Sequence, residues 1–238
     1  MGKLGLVGGT GLLAATPLRH TRQREVTTPY GRVALLETSR LVFLQRHGLE
    51  EYTPPHRINH AANLHALKES GVERILAVGS VGSLQRDIPP GRFLVPDDFY
   101  APQVNPTYYA DSRGHRTPGF DPAWRATLLD TWRGLGLPAC RENGVYWQTS
   151  GPRFETPAEI RFHQSVCHVV GMTIASECIL AAELDLPYAA LCLVDNYANG
   201  LEWQPLTFEG FKAQVKQNEA QLLSAIDALT TALIGNPS

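Results

Sequence analysis

The residues best suited to chemistry lie in the stretch from Gln148 to Ile160, Gln-Thr-Ser-Gly-Pro-Arg-Phe-Glu-Thr-Pro-Ala-Glu-Ile. Gly151-Pro152 is a turn signal that follows a short apolar strand. Thr156 to Glu159 has the pattern of a helix start, with Thr at the N-cap and Glu at N3. Glu155 therefore precedes a helix N-terminus, where a carboxylate stays ionised and can accept a hydrogen bond from a ligand N–H. The competing interpretation is a capping box beside a solvated glutamate.

A second candidate site begins near the N-terminus, where the apolar segment Leu4 to Val7 runs into Gly-Gly-Thr-Gly at 8–11. Backbone N–H groups of such a turn, around Gly9 and Thr10, can face a phosphate at close range. The same glycines loosely match a dinucleotide fingerprint, but the acidic residue expected about 20 positions later falls in a polar, Arg-rich stretch at Glu25. A phosphate cradle, a dinucleotide turn and a plain tight turn all remain open here.

Donor-rich or small residues also end other predicted strands. Arg46 offers a planar, permanently charged fork suited to phosphate, and His47 adds a ring donor, although a surface arginine at a strand end is the simpler interpretation. Gly79 to Ser83 is predicted to be a small-residue turn after an apolar strand. Strand ends scattered along the chain can converge only through the fold, and five of them carry such residues: Gly9-Thr10, Arg46-His47, Gly79-Ser80, Met172-Thr173 and Asp195-Asn196.

Apolar periodicity predicts the elements that would position these residues. A hairpin is expected from Val33–Leu36 and Leu41–Leu44, and buried strands are expected at 74–78, 144–148 and 188–194. Helices are predicted at 61–70, 123–134, 158–167, 176–184 and 208–233. The irregular segment from Asp97 to about Pro122, which contains His115, is long enough to predict a functional loop or a subunit contact.

Composition excludes several classes of protein. The chain has 238 residues, 43% of them hydrophobic, and a net charge of −2, so no strong field attracts nucleic acid or an anionic membrane. No apolar run approaches ~18 residues. The four cysteines have no Cys-x-x-Cys spacing, which predicts reduced, mostly buried thiols in a cytoplasmic protein. A single domain over 1–238 is expected, without a metal site.

The ordered motifs together resemble the purine nucleoside phosphorylase family, in its methylthioadenosine phosphorylase branch, over nearly the whole chain. The motifs that carry the resemblance are Gly-Gly-Thr-Gly-Leu (8–12), Arg-His-Gly (46–48), 55–67, Gly-Ser-Leu (82–84), Gly-Pro-Arg-Phe-Glu (151–155), Gly-Met-Thr (171–173) and Asp-Asn-Tyr (195–197). The resemblance implies an α/β, three-layer nucleoside-phosphorylase fold with a mixed central sheet flanked by helices. It also implies a homotrimer in which His115 reaches a neighbour's site, with His115 as a plain surface residue the alternative.

The family reaction is phosphorolysis, in which phosphate attacks C1′ while the purine leaves, without a cofactor or a metal. By resemblance, phosphate is bound by Gly9, Thr10, Arg46, His47, Ser80 and Thr173. Met172 resembles the ribose floor, and Phe154 and Ala198 join the substrate-binding set. Glu155 and Asn196 resemble the catalytic base readers, and Asn196 is expected to donate to purine N7 as charge builds there.

Departures from the branch predict the substrate. Methylthioadenosine phosphorylases carry Ser at the place of Glu155 and Asp at the places of Asn196 and Ala198, whereas phosphorylases of 6-oxopurines carry the Glu and Asn found here. Glu155 can accept from the N1–H of hypoxanthine or guanine but would repel adenine N1. Phe208 occupies the place where inosine phosphorylases present a His to the 5′-hydroxyl, and it suits a methylthio group unless it merely packs its helix onto the core.

We therefore predict phosphorolysis of 5′-methylthioinosine to hypoxanthine and 5-methylthioribose 1-phosphate. Within the class, a general inosine/guanosine phosphorylase and a methylthioadenosine phosphorylase are the alternatives. Outside it stand an NAD-dependent dehydrogenase that uses Gly9 to Ala14 and a non-catalytic nucleoside-binding protein, although a binding protein would not need the phosphate donors.

Overall fold

The computed structural model describes residues 2–9, 12, 13, 15, 18, 20–203 and 206–235, so the predicted phosphate ligand Thr10 lies outside it. Within these residues five α-helices are present: α1 (His60–Glu69), α2 (Pro122–Gly134), α3 (Pro157–His163), α4 (Ile174–Glu183) and α5 (Phe208–Ile234). Eleven strands of the described chain form one sheet: β1 (Lys3–Gly8), β2 (Arg22–Thr28), β3 (Gly31–Glu37), β4 (Leu41–Gln45), β5 (Val72–Ser83), β6 (Phe93–Leu94), β7 (Asp98–Tyr100), β8 (Cys140–Arg141), β9 (Val145–Gln148), β10 (Val169–Gly171) and β11 (Tyr188–Tyr197).

The sheet is mixed, as predicted, and it is organised around β5. The main path runs β2-β3-β4-β1-β5-β10-β9-β7, and β11 joins β5 on a branch that continues to β6 and β8. β5 pairs in parallel with β1 and β11 and antiparallel with β10. The turn predicted at Gly79 to Ser83 is wrong, because β11 pairs with β5 as far as Ser83 and keeps this small-residue stretch extended. The predicted β3–β4 hairpin is confirmed.

Helices cover the two faces of the sheet and complete three layers. On one face, Leu64 of α1 and Ala181 of α4 belong to a core that includes Val7 and Ala77 of the sheet. On the other, residues of α2 and α5, among them Leu128 and Ile226, pack into a second core. Strands buried on both sides have the continuous apolar sequences that such a fold requires. The predicted three-layer α/β fold is confirmed.

Two predictions made from composition, on membrane-spanning segments and on cysteines, can be compared with the structure. No helix in the described part of the chain is long and apolar enough to cross a membrane. The four cysteines are free thiols, and Cys167, Cys178 and Cys192 are buried while Cys140 is half-buried. The cytoplasmic location inferred from them stays a prediction.

Candidate functional site

The ends of β1 and β4 bring the first phosphate-binding candidates together. The two strands are parallel neighbours, and the backbone N–H of Arg46 donates to the Gly8 carbonyl over 3.0 Å. A Cβ placed on Gly9 would lie 4.0 Å from Cδ2 of His47. Gly9, Arg46 and His47 therefore lie side by side at one edge of the sheet, as the positions of the strand ends predict.

Arg46 is only 4% exposed and is held by Glu177, which is 1% exposed. Its Nε donates to Glu177 Oε1 over 2.6 Å, its Nη2 donates to Oε2 over 3.0 Å, and its Nη1 donates to the Val78 carbonyl over 2.7 Å. Tyr188 also donates its hydroxyl to Glu177 Oε2, over 2.6 Å. A guanidinium has five N–H donors, and no described residue accepts from the remaining two, which are available to an anion.

The charges of this buried pair support each other. Burial by itself would raise the pKa of Glu177, but the Arg46 charge and its hydrogen bonds outweigh that effect and hold the pKa below its usual value. Burial would likewise lower the pKa of Arg46, and Glu177 reverses the direction. Glu177 falls in the first turn of the helix predicted at 176–184, and it was not predicted as a site residue. A carboxylate in the otherwise apolar first turns of α4 is the signal that marks it as the partner of a buried cation.

His47 has its Nδ1 2.9 Å from the Thr53 carbonyl, so Nδ1 carries the hydrogen, and its ring stacks on Tyr52 with centroids 5.3 Å apart. Burial is the main cause that lowers the pKa of His47, and the Arg46 charge adds to it, against the effect of the Thr53 carbonyl. The neutral ring therefore presents an acceptor at Nε2, and the ring becomes a donor there only by taking up a proton.

Ser80 lies exposed on β5, and its hydroxyl donates to Oδ2 of Asp195. Asp195 is only 3% exposed, and its Oδ1 accepts from Nδ2 of Asn218 on α5 over 2.8 Å. Burial raises the pKa of Asp195. The resemblance places Ser80 at the phosphate, but its one hydrogen is already used by Asp195.

Thr173 and Met172 lie between the predicted phosphate ligands at the ends of β1 and β4 and the Gly151 turn that precedes Glu155. Thr173 is buried at the N-cap of α4, and its backbone N–H lies 3.3 Å from the Tyr146 hydroxyl. A Cβ on Gly151, whose φ is +63°, would come within 2.6 Å of Sδ of Met172. The Gly151 turn therefore packs directly against Met172, and only glycine suits both the conformation and the contact.

Glu155 is 7% exposed, so it is not the solvated glutamate of the competing interpretation, although the capping box of Thr156 and Glu159 is present as predicted. Its Oε1 accepts from the Thr149 hydroxyl over 2.6 Å. Arg153 points to Glu159 instead, at 2.9 and 2.8 Å, so Glu155 has no salt-bridge partner in the described chain. Burial raises the pKa of Glu155, and the Thr149 hydrogen bond only partly offsets the rise. The carboxylate lines a small surface cleft together with Gln103, Ser150 and Gly151.

Asn196 and Ala198 lie at the end of β11, over a close approach of β5. Nδ2 of Asn196 donates to the Tyr197 carbonyl over 2.8 Å, which leaves its second N–H and its oxygen for a ligand. Ala198 is buried. A Cβ on Gly82 would lie 3.2 Å from Nδ2 of Asn196 and 3.3 Å from Val170. The absence of a side chain at Gly82 therefore leaves room for the Asn196 amide.

We expect Gly82→Ala to lower kcat/KM for the predicted substrate, 5′-methylthioinosine, about tenfold. The added methyl group displaces the Asn196 amide by a few tenths of an ångström and changes its orientation toward the base. Asn196→Ala removes the amide, so its kcat/KM gives the loss expected when the amide makes no contribution. Gly119→Ala is the matched control, since a Cβ there meets nothing within 4 Å. Equal kinetics for Asn196→Ala and wild type would show that the Asn196 amide does not contribute.

Phe208, the residue predicted to face the 5′ group, belongs to a row of three aromatic rings. Phe208 is 52% exposed, so it does not serve to pack α5 onto the core. Its ring lies 6.4 Å from the ring of Phe211, which lies 5.8 Å from the ring of Phe154. Phe211 was not predicted, although its i, i+3 spacing from Phe208 on one helix face signals it.

His115 is exposed and is not brought to this site. Its loop is fastened to the C-terminal end of α4, where Thr107 donates its hydroxyl to Glu183 over 2.6 Å and Tyr108 donates its backbone N–H to the same carboxylate over 2.7 Å. Thr173, a predicted phosphate ligand, lies at the opposite end of this ten-residue helix, roughly 15 Å away. Any contact of His115 with a substrate therefore requires a second chain.

The chain is similar to known phosphorylases over most of its length. Residues 3–231 match the family model described as the phosphorylase superfamily. A probable 6-oxopurine nucleoside phosphorylase from Archaeoglobus fulgidus is 38% identical over 229 residues, which cover 94% of both chains. A probable S-methyl-5′-thioinosine phosphorylase from Methanocaldococcus jannaschii is 37% identical, with 94% of this chain and 90% of the relative covered.

A solved structure has the same fold. Methylthioadenosine phosphorylase from Schistosoma mansoni, in complex with adenine, superposes with a TM-score of 0.86 and 26% identity, over 99% of this chain and 93% of that one. The matched relatives are nucleoside phosphorylases, so the glycine-rich sequence that follows β1 does not indicate a dehydrogenase.

Proposed function

The chain belongs to the phosphorylase superfamily, and from that premise we propose that it cleaves 5′-methylthioinosine with phosphate to give hypoxanthine and 5-methylthioribose 1-phosphate. The observation that carries the choice of base is the buried carboxylate of Glu155, which no described cation neutralises. With Oε1 occupied by Thr149, the acceptor capacity of Oε2 remains for a ligand. A 6-oxopurine supplies N1–H there, whereas adenine N1 supplies a lone pair that the carboxylate repels.

The other residues of the proposed site bind the phosphate at the sugar end of the N-glycosidic bond and the purine at its other end. Two groups bind the attacking phosphate: the two remaining N–H groups of Arg46 and the hydroxyl of Thr173, which makes no capping hydrogen bond to α4. Asn196 donates to N7, where negative charge develops as the base leaves, so its hydrogen bond strengthens in the transition state. Hydrogen phosphate brings one proton, which ends on the released purine, so the sugar 1-phosphate leaves as a dianion. Phosphate is the co-substrate, and no cofactor or metal enters this scheme.

The 5′ group is selected by the aromatic row of Phe208, Phe211 and Phe154. The rings stabilise a methylthio group and offer a 5′-hydroxyl no hydrogen-bond partner of their own. One charged group lies beside them, since Nζ of Lys212 is 4.3 Å from the centroid of the Phe208 ring. We expect Phe208→Asn to reduce the preference for methylthioinosine over inosine about tenfold, measured as the ratio of the two kcat/KM values, while Phe208→Leu retains it. An unchanged ratio in Phe208→Asn would place the 5′ group elsewhere.

The proposal is tested by measuring kcat/KM for methylthioinosine, methylthioadenosine and inosine, each with and without phosphate. Methylthioinosine is expected to be the best substrate, and release of base is expected to require phosphate. A preference for methylthioadenosine would overturn the role of Glu155, and release of base without phosphate would overturn phosphorolysis.

A general 6-oxopurine nucleoside phosphorylase is the second candidate, because the Archaeoglobus fulgidus relative is described in those terms. Inosine and methylthioinosine would then be used equally well, and Phe208→Asn would change neither.

We further propose a homotrimer in which His115 lies in a neighbour's site. The exposed position of His115, on a loop fixed by Glu183, supports a contact between chains. Light scattering on the purified protein gives the number of chains. His115→Ala should raise KM for the nucleoside without changing that number, and an unaltered KM would leave His115 a surface residue.

A further inference from the structure

We propose that Asn199 is a positioning residue that sets the spacing between Glu155 and Asn196, the two base readers, and joins both to the start of α5. The inference rests on the proposed function in one respect, namely that Glu155 and Asn196 contact the purine. It is carried by two hydrogen bonds of the Asn199 side-chain amide, which connect three segments of the site.

The sheet alone leaves the two base readers apart. Asn196 lies at the end of β11, Glu155 follows the turn after β9, and β5 and β10 lie between these two strands in the sheet. Three steps of about 4.8 Å place β9 roughly 14 Å from β11. A purine that contacts both side chains therefore requires the segments after the two strands to be held at a fixed distance from each other.

The side chain of Asn199 joins these two segments directly. It is half-buried, two residues after β11, and its Nδ2 donates to the backbone carbonyl of Glu155 over 2.8 Å. A Cβ on the adjacent Gly200, whose φ is +93°, would lie 2.9 Å from Cβ of Pro157, so the same turn also packs against the first residue of α3. One hydrogen bond and one close contact thus hold the segment of Asn196 to the segment of Glu155.

The oxygen of the same amide binds a third segment. Oδ1 of Asn199 accepts from the backbone N–H of Leu206 over 2.9 Å, immediately before Thr207, the N-cap of α5. Phe208, the first residue of α5, belongs to the aromatic row proposed to select the 5′ group. Because one partner is a carbonyl and the other is an N–H, the orientation of the amide is fixed. Asn199 therefore links the base site to the 5′ site.

A loop amide that only stabilises the fold is the alternative role for Asn199, and substrate ratios distinguish the two. A loss of stability lowers the amount of folded enzyme and reduces activity on every nucleoside by the same factor. A change in the position of Glu155 relative to Asn196, or of Phe208 relative to both, alters the activity on one nucleoside more than on another.

The experiment measures kcat/KM for methylthioinosine, methylthioadenosine and inosine in the full-length wild type and in Asn199→Ala. The first two nucleosides differ in the base and give a base ratio, and the first and third differ in the 5′ group and give a 5′ ratio. In Asn199→Ala each ratio is expected to move toward one by about three- to tenfold, the effect of one hydrogen bond. Ratios equal to those of the wild type would overturn the inference.

Asn199→Asp separates the two hydrogen bonds. Its carboxylate still accepts from the Leu206 N–H but cannot donate to the Glu155 carbonyl. The base ratio should therefore move toward one while the 5′ ratio stays near that of the wild type. A changed 5′ ratio with an unchanged base ratio would contradict the assignment of the two hydrogen bonds.

Asn59→Ala is the matched control, because the Asn59 amide has the same pattern of partners. Its Nδ2 donates to the Tyr30 carbonyl over 2.8 Å, and its Oδ1 accepts from the Ala62 N–H over 3.0 Å. This variant should lower Tm and keep both ratios. Ratios that moved as far as in Asn199→Ala would show a general effect of stability and overturn the inference.

The proposed function and this inference fail in different ways in the same experiment. A wild type that prefers methylthioadenosine contradicts the proposed function, and a shift of both ratios toward one in Asn199→Ala would still support the positioning role. A wild type that prefers methylthioinosine, with both ratios unchanged in Asn199→Ala, contradicts this inference alone.

Discussion

Glu177→Ala is expected to lower the free energy of unfolding by about 3–5 kcal/mol, because it leaves the buried guanidinium of Arg46 without its counter-charge. Arg46 loses two charge-assisted hydrogen bonds, and the Tyr188 hydroxyl loses its acceptor in the same step. For a chain of this length the change corresponds to a fall in Tm of roughly 10 °C. Urea unfolding measures the free energy, and the KM for phosphate should rise at the same time because Arg46 is no longer held in place.

An exposed pair with similar geometry provides the control. Arg133 donates to both oxygens of Glu142, over 2.7 and 2.5 Å, but both side chains are about half exposed. Glu142→Ala should therefore cost less than about 1 kcal/mol and leave the KM for phosphate unchanged. If Glu177→Ala were as mild as Glu142→Ala, the Arg46–Glu177 pair would not organise the site.

The sequence predicted the positions of the helices and most strands because each has a local cause. The capping box at Thr156 and Glu159 marks the start of α3, and apolar runs mark β5 and β11. It failed at Gly79 to Ser83, where small residues normally signal a turn, because pairing with β11 overrides local preference. The convergence of Gly9, Arg46 and His47 followed from the general rule that parallel strands end at one edge.

The partners of the site residues could not be obtained in the same way. Arg46 and Glu177 are 131 positions apart, and Ser80 and Asp195 are 115 apart, so only tertiary structure reveals these hydrogen bonds. Asp195 belongs to a motif that the sequence marks, and Glu177 lies one helical turn after Thr173, but neither fact identifies the residue that binds the acid. A polar residue in an apolar element predicts that a partner exists, but it does not identify that partner.

Glu155→Gln is expected to reduce kcat/KM for methylthioinosine by roughly 10- to 100-fold and to raise the relative use of methylthioadenosine. The amide has no charge and can present its NH₂ group to the base, where it opposes the N1–H of hypoxanthine but pairs with N1 of adenine. Competition between the two nucleosides in one assay measures the ratio directly. A ratio that stays constant would remove Glu155 from base recognition.

Glu183→Gln is the matched control, since Glu183 is also buried and also accepts from a threonine hydroxyl over 2.6 Å, but at the far end of α4. It should change stability and leave the substrate ratio as in the wild type.

The pH dependence of the two activities provides an independent check on Glu155. Because burial raises the pKa of Glu155, its carboxylate is the acceptor above that raised pKa and becomes a donor as the pH falls through it. Activity on methylthioinosine should therefore decline on the acid side at a higher pH than an ordinary glutamate would give, and relative activity on methylthioadenosine should rise there. Glu155→Gln should remove this pH dependence of the ratio, because the amide does not titrate, and Glu183→Gln should retain it.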